Sequence, residues 1–262
     1  MAIADILNHA TEIANSGTVK LKSSLEYKCD TLNATQGDLK YLDCPKCLNK
    51  GYYATIRDGE LISVECPCMT KRRSWKRIES AGLNDVVRNY TFTAYEDEED
   101  WQKQVKTMAI AFSQADEASW FFISGTPGTG KTHICTAITT NLIKRGYDAK
   151  YLLWREEIPK LKALVNEREQ YEKIMGLLKR IDVLYIDDFW KGTITEADIN
   201  LTFELLNARY NARNKRTIIS TEKTMNEILG IDEAIGSRIS ERSKGYKLHL
   251  PKKNWRLKGQ ND

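Results

Sequence analysis

The 262-residue sequence predicts an α/β fold, a parallel sheet flanked by helices, preceded by a small cysteine-bearing N-terminal domain. Three observations predict it. A glycine-rich loop, GTPGTGKT at 125–132, stands between a short apolar run and an amphipathic helical pattern. A second apolar run, RIDVLYIDD at 180–188, ends in two aspartates. Strand-like and helix-like segments alternate between about residues 120 and 221, the pattern of parallel strands joined by crossover helices.

In chain order, residues 1–40 form a polar, partly helical arm, and 41–69 a cysteine-bearing hairpin. Residues 70–88 read as a basic helix broken at Gly82, 89–96 as an extended aromatic stretch, and 101–118 as a helix with Val105, Met108, Ala109 and Phe112 on one face. Next come strand 120–124, helix 131–144, strand 149–154, helix 156–179 with a break at Pro159, strand 181–186, helix 196–212 and strand 216–221. The remainder holds one helix, an arginine-bearing segment and a final strand. The domain boundary is expected at residue 88, giving domains 1–88 and 89–262.

Composition bounds the function. No run of eighteen apolar residues exists, so no membrane span is expected. The N-terminus lacks a charged region followed by an apolar stretch, so no signal peptide is expected, and a cytoplasmic location is expected. The formal net charge of +4 is too mild to assign nucleic-acid binding by itself. Charge is concentrated in TKRRSWKR (70–77), EDEED (96–100) and a basic tail from Lys244 to Lys258, runs that also suit solvated faces.

The loop carries chemistry. Gly125, Gly128 and Gly130 let the backbone bend so that successive N–H groups converge on phosphate oxygens. Lys131 reaches the β- and γ-phosphates as a point charge, and the Thr132 hydroxyl suits Mg²⁺. The N-terminus of the following helix adds a favourable dipole. The candidate nucleotide-binding set is Gly125, Thr126, Pro127, Gly128, Thr129, Gly130, Lys131, Thr132 and His133. Ligands of open α/β sheets sit beyond the carboxyl ends of the strands. Asp187 is therefore placed to hold Mg²⁺ with Thr132, and Asp188 to polarise an attacking water.

Four of the six cysteines cluster as Cys44-Pro-Lys-Cys47 and Cys66-Pro-Cys68. Between them, two alternating runs flank an Asp58-Gly59 turn, the pattern of a β-hairpin. A hairpin brings its ends together, as in a zinc ribbon, and four thiolates complete a closed tetrahedral Zn²⁺ site. Cys29 is a possible substitute ligand; free thiols or a redox pair are the alternatives.

GTPGTGKTH, VLYIDDFWKG, TEADINLTFELLNARY, RTIISTEKT and IGSRISERS, in this order and spacing, resemble AAA+ ATPases of the DnaC/DnaI helicase-loader type. DCPKCLNKGYY and ECPCMTKRRSWKRIESAGL resemble the cysteine-bearing N-terminal region of the same group in bacteria and their phages. The resemblance implies an AAA+ P-loop NTPase that binds ATP and Mg²⁺, contacts single-stranded DNA and self-associates through the ATP site. Its N-terminal region would grip a replicative DnaB-type hexameric helicase. By the same resemblance Lys131 and Thr132 are the Walker A pair, and Asp187 and Asp188 the Walker B pair. Ser220, Thr221 and Glu222 fall where the family has its sensor-one polar residue, and Arg238 and Arg242 match its arginine-finger segment. Trp154, Arg155, Lys160 and Lys162 suit a single-strand contact but equally an ordinary amphipathic helix. Tyr90 and Phe92 suit an adenine pocket or anchorage in the core. Two other readings are a transposition-helper ATPase and a zinc adaptor with a structural nucleotide site.

Overall fold

The Asp58-Gly59 dipeptide turns the chain as its composition demands. Both residues have positive φ, 52° and 80°, the combination that joins two strands with matched twist. The structure, a computed structural model, describes residues 22–79 and 89–251 and divides into two compact units after Met69. The expected Gly82 break, the arm before residue 22 and the basic tail beyond residue 251 lie outside the described residues.

In the first unit, helix α1 (Ser24–Ala34) is followed by the antiparallel strands β1 (Tyr52–Arg57) and β2 (Glu60–Glu65). The Asn33 amide donates to the Ala54 carbonyl and accepts the Ala54 N–H, at 2.9 and 2.8 Å. This side chain satisfies backbone groups that an edge strand otherwise leaves open. Helix α2 (Cys68–Ile78) crosses the division. Beyond it, Ser74 donates to Asp148 at 2.7 Å and Trp75 packs against the core of the second unit. The basic stretch 70–77 falls within the second unit, and the boundary expected at residue 88 lies outside the described residues.

The second unit begins with helix α3 (Asp100–Gln114) and strand β3 (Trp120–Ser124). Helix α4 (Lys131–Lys144), strand β4 (Ala149–Leu153), and helices α5 (Trp154–Ala163) and α6 (Arg168–Arg180) follow. Strand β5 (Val183–Asp187), helix α7 (Glu196–Ala212) and strand β6 (Arg216–Thr221) lead to helices α8 (Met225–Ile231) and α9 (Glu233–Arg242) and strand β7 (Lys247–His249). The strands form one parallel sheet in the order β4–β5–β6–β3–β7. Each central strand is apolar on both faces because successive side chains point to opposite sides. Phe121, Ile123, Val183 and Tyr185 pack with Phe112 of α3 and Ile134 and Ile138 of α4. Phe122, Leu184 and Ile186 pack with Ile158, Leu178, Leu205 and Ile239 on the other face. Burial of each such side chain contributes ~1.5–3 kcal/mol.

Three expectations are corrected. The break between the helices after β4 falls at 164–167 and not at Pro159, which lies inside α5. Pro159 is the sixth residue of α5, past its first turn, so it forgoes one intrahelical hydrogen bond, yet the helix continues to Ala163. Residues 91–95 form a turn closed by Tyr95 N–H to the Thr91 carbonyl at 3.1 Å, not an extended stretch. The arginine-bearing segment is itself helical, with Asp232 capping α9 through the Ile235 N–H at 2.7 Å.

The crossover from α7 to β6 is held by Arg209, which is fully buried. Its guanidinium donates to the carbonyls of Leu178, Ile181 and Arg216 at 2.8, 2.9 and 2.6 Å and to the Thr217 hydroxyl at 3.0 Å. Arg209→Met keeps bulk but orphans these acceptors. It is expected to destabilise the chain by about 3 kcal/mol or more in a denaturant melt.

Candidate nucleotide site and cysteine cluster

Strand β3 ends where the glycine-rich loop begins, and the Gly125 N–H donates to the Thr221 carbonyl at 3.2 Å. A side chain at Gly125 would lie 2.8 Å from Leu250 Cβ, and Gly130, at φ 82°, would press one on the Tyr95 ring at 3.2 Å. Glycine is required at both places by contact as well as by backbone angle. The loop closes on the N-terminus of α4. Lys131 is buried, and its ammonium donates to the carbonyls of Gly125 and Thr126 at 2.7 and 2.8 Å. Burial pulls its pKa down, opposed by Glu222 and Asp188.

Asp187, at the end of β5, is buried and gathers its neighbours. Tyr151 of β4 donates to Oδ2 at 3.0 Å, Thr132 of α4 donates to Oδ1 at 3.4 Å, and Ser220 of β6 also donates to Oδ1. The next residue, Asp188, has φ 52°. That left-handed turn is strained for a residue with a Cβ, and the two aromatic residues after it hold it in place. Phe189 and Trp190 are fully buried and stack on each other at 4.7 Å, and the Trp190 indole donates to Thr202 at 3.0 Å. The Phe189 N–H donates to the Ser220 carbonyl at 2.8 Å.

The structure thus brings Lys131, Thr132, Asp187, Asp188 and Ser220 to one end of the sheet. Residues 127–133 line a cleft with Tyr90, Asp188, Lys191 and Glu222. His133 stacks on Tyr90 at 4.5 Å, and its Nε2–H donates to the Thr91 carbonyl at 2.9 Å. Burial lowers its pKa, so it serves as a neutral ring at the cleft wall. Phe92 packs against the core rather than lining the cleft. Lys191 is a cleft residue to which the sequence reading gives no role. Its ammonium lies 3.2 Å from Asp188 Oδ2 and 2.7 Å from Glu222 Oε1. Burial opposes its charge, but the bonds to Glu222 and Asp188 prevail and raise its pKa. Its sequence signal is its place in VLYIDDFWKG, three positions after the second aspartate.

Other candidates lie elsewhere. Trp154 is buried edge-on against Phe189 at 5.1 Å, so it is a core residue and offers no face for stacking a base. Lys162 pairs with Asp198 at 2.9 Å and Lys160 with Glu157 at 2.7 Å, leaving Arg155 exposed. Arg242 donates to the carbonyls of Ala118 and Arg213 at 2.7 and 2.8 Å. Arg238 donates to the Ala234 carbonyl and Asn207 at 2.7 and 3.1 Å and lies over the half-exposed Phe203 ring at 5.0 Å.

In the first unit, one sulfur each from Cys44, Cys47, Cys66 and Cys68 lie within 4.8 Å of one another. Cys44 and Cys66 sulfurs are 3.7 Å apart, and those of Cys47 and Cys68 3.6 Å. Zinc–sulfur bonds of about 2.3 Å place tetrahedral sulfurs about 3.8 Å apart, so these residues fit such an ion. Burial pushes the Cys66 thiol up to about 12. Burial also opposes ionisation of Cys47, but the Gly51 amide and neighbouring thiols bring it down to about 7. Cys29 is outside the cluster and donates to the Ala54 carbonyl at 3.3 Å. Cys135 is a buried core residue.

Comparison with known proteins gives consistent matches. The model of the family described as IstB-like ATP binding protein matches residues 55–243. The phage-like element PBSX protein XkdC of Bacillus subtilis (strain 168) is 27% identical over 225 residues, 80% of this chain and 83% of that protein. The replicative helicase loader DnaC of Buchnera aphidicola subsp. Schizaphis graminum (strain Sg) is 22% identical over 166 residues, 62% of this chain and 66% of that protein. Among solved structures, DnaI superposes with a TM-score of 0.53 at 19% identity, over 64% of this chain and 92% of that one. This last likeness is one of fold. Among the described residues no helix is long and apolar enough to cross a membrane.

The two arginines of α9 differ in what they do for the fold. Arg242→Ala strips donors from two carbonyls and is expected to cost about 1–3 kcal/mol. Arg238→Ala removes a bond to the Ala234 carbonyl within the same helix, one to Asn207 and a contact with the Phe203 ring, and is expected to cost about 1 kcal/mol, at the low end of that range. Thermal melts of the two variants beside wild type check the difference.

Proposed function

Because this chain belongs to the IstB-like ATP binding protein family, an IstB/DnaC-like group of AAA+ ATPases, we propose that it is an ATP-dependent loader. It would bind a replicative DnaB-type hexameric helicase and place it on single-stranded DNA. The observation that carries this reading is the pairing of an ATPase unit with a preceding four-cysteine hairpin, alongside a DnaC loader and a phage-element protein among its relatives.

The nucleotide chemistry follows from the site. The loop amides and the α4 N-terminus receive the phosphates, and Lys131 turns its ammonium from loop carbonyls to phosphate oxygens. Thr132 and Asp187 would hold Mg²⁺, which supplies charge neutralisation when bound. Asp188 polarises the attacking water, and Ser220 keeps Asp187 oriented. Self-association through the ATP site would bring a neighbour's Arg238 or Arg242 to the γ-phosphate. Each arginine already donates two hydrogen bonds within its own chain and would have to release them; those of Arg242 reach carbonyls far along the chain, at Ala118 and Arg213, whereas Arg238 bonds within its own helix and to Asn207. Cys44, Cys47, Cys66 and Cys68 would hold one structural Zn²⁺ and keep the hairpin closed for helicase contact. Exposed Arg155 is the cation of this helix left for the DNA backbone, since Lys160 already pairs with Glu157.

A transposition-helper ATPase is the second reading, favoured by the family match itself. It predicts a transposase and duplex DNA as partners in place of a helicase.

Two outcomes are expected. Lys131→Ala should abolish tight ATP binding in a nucleotide titration, with a stability loss on the order of 1 kcal/mol from its two carbonyl bonds; unchanged affinity removes Lys131 from the site. Full-length protein should capture a purified DnaB-type hexamer and carry about one zinc per chain by elemental analysis. Cys66→Ser should lose both while retaining ATP binding. Failure to capture helicase, with retention on duplex DNA beside a transposase, selects the second reading.

A further inference from the structure

We infer that Lys191 is a second cation of the nucleotide site, positioned within the same chain to bind γ-phosphate oxygens of ATP and stabilise their charge during hydrolysis. The inference rests on the nucleotide reading above and adds a residue to it.

The backbone places this lysine with little freedom. Phe189 and Trp190, both fully buried, anchor the turn that carries it. The Lys191 N–H donates to the Asp188 carbonyl at 3.0 Å and closes that turn. Its ammonium then sits between Asp188 Oδ2 and Glu222 Oε1, at 3.2 and 2.7 Å. All three side chains line the cleft that Lys131 and Thr132 line. Lys191 is thus not a surface lysine that met a carboxylate by chance. It comes from the β5 turn, its partner Glu222 directly follows β6, and both face the cleft bounded by the phosphate loop.

The charges in the cleft explain why phosphate suits it. Lys131 and Lys191 are offset there by Asp188 and Glu222, so a polyanion must be met by cations that can change partners. The Lys191 side chain retains 30% exposure, enough to turn from a carboxylate to a phosphate oxygen. A triphosphate brings more negative charge to the cleft than either carboxylate, so its oxygens compete for the Lys191 ammonium. In hydrolysis the water oxygen bonds to the γ-phosphorus, and the bond to the bridging oxygen breaks with its electron pair leaving on ADP. The water proton passes to Asp188 and on to solvent. Lys191 keeps its proton throughout and offsets charge on the transferring oxygens, the task an arginine finger performs in related chemistry.

The test compares full-length wild type, Lys191→Met and Lys191→Arg for ATP and ADP affinity with Mg²⁺ and for single-turnover hydrolysis. Lys191→Met should lose ~10–100-fold in ATP affinity or hydrolysis rate while ADP affinity, which also reports an intact fold, stays within about 2-fold. Lys191→Arg should recover part of the loss. An unchanged ATP-to-ADP preference with unchanged turnover overturns the assignment. So does equal loss of ATP and ADP, which marks a structural role, or faster turnover in Lys191→Met, which marks a restraint on Asp188. Wild type that binds no ATP defeats the nucleotide reading itself; wild type that binds and hydrolyses ATP beside an unaffected Lys191→Met defeats only the lysine.

Discussion

A carboxylate buried at the end of the central sheet sets the constraints for the rest of the second unit. Asp187 is withdrawn from water, and a buried charge is tolerated only when its oxygens are satisfied. Its donors arrive from three other elements: Tyr151 on β4, Thr132 on α4 and Ser220 on β6. Meeting that demand requires β5 to lie between β4 and β6 and the phosphate loop to fold over their carboxyl ends. The strand order β4–β5–β6 is what brings these donors to one acceptor.

The turn after Asp187 shows how local strain is offset by burial. Asp188 and Trp190 both have positive φ, at 52° and 54°, each costing on the order of 1–3 kcal/mol. The aromatic pair Phe189 and Trp190 is fully buried, a gain of comparable size for each ring. Strain thus lies in the turn that borders the cleft, and hydrophobic packing just behind it holds it in place. The same turn aims Lys191 into the cleft, so the packing of Phe189 and Trp190 has electrostatic consequences.

The cysteine hairpin obeys a different logic. Among the described residues its unit has a small apolar cluster, made by Cys47, Cys66 and Cys68 with Leu42 and Tyr53. Small units rarely bury enough surface to be stable unaided. A four-thiol cluster at the base of the hairpin is the feature that could compensate. Helix α1 adds to it by lending Asn33 to the open edge of β1.

Much of this was legible in sequence wherever a local rule decided the outcome. Strands 120–124 and 216–221 and helices 131–144 and 196–212 have the bounds that apolar runs, glycines and capping residues implied. The phosphate loop, the paired aspartates and the cysteine spacing were readable because each is a contiguous motif with a chemical requirement. Other features depended on partners far along the chain. Trp154 was open to a nucleic-acid role until Phe189 covered it, and Arg242 looked free until Ala118 and Arg213 offered carbonyls. Lys191 was one charge among forty Lys and Arg residues until the sheet set it beside Glu222. Sequence by itself determined the periodicity, the turns and the reactive groups, because backbone sterics and side-chain chemistry act over a few residues. Only the tertiary structure decided which charges and aromatics are occupied by the fold and which face the cleft, because burial and pairing are properties of neighbours that chain order does not specify.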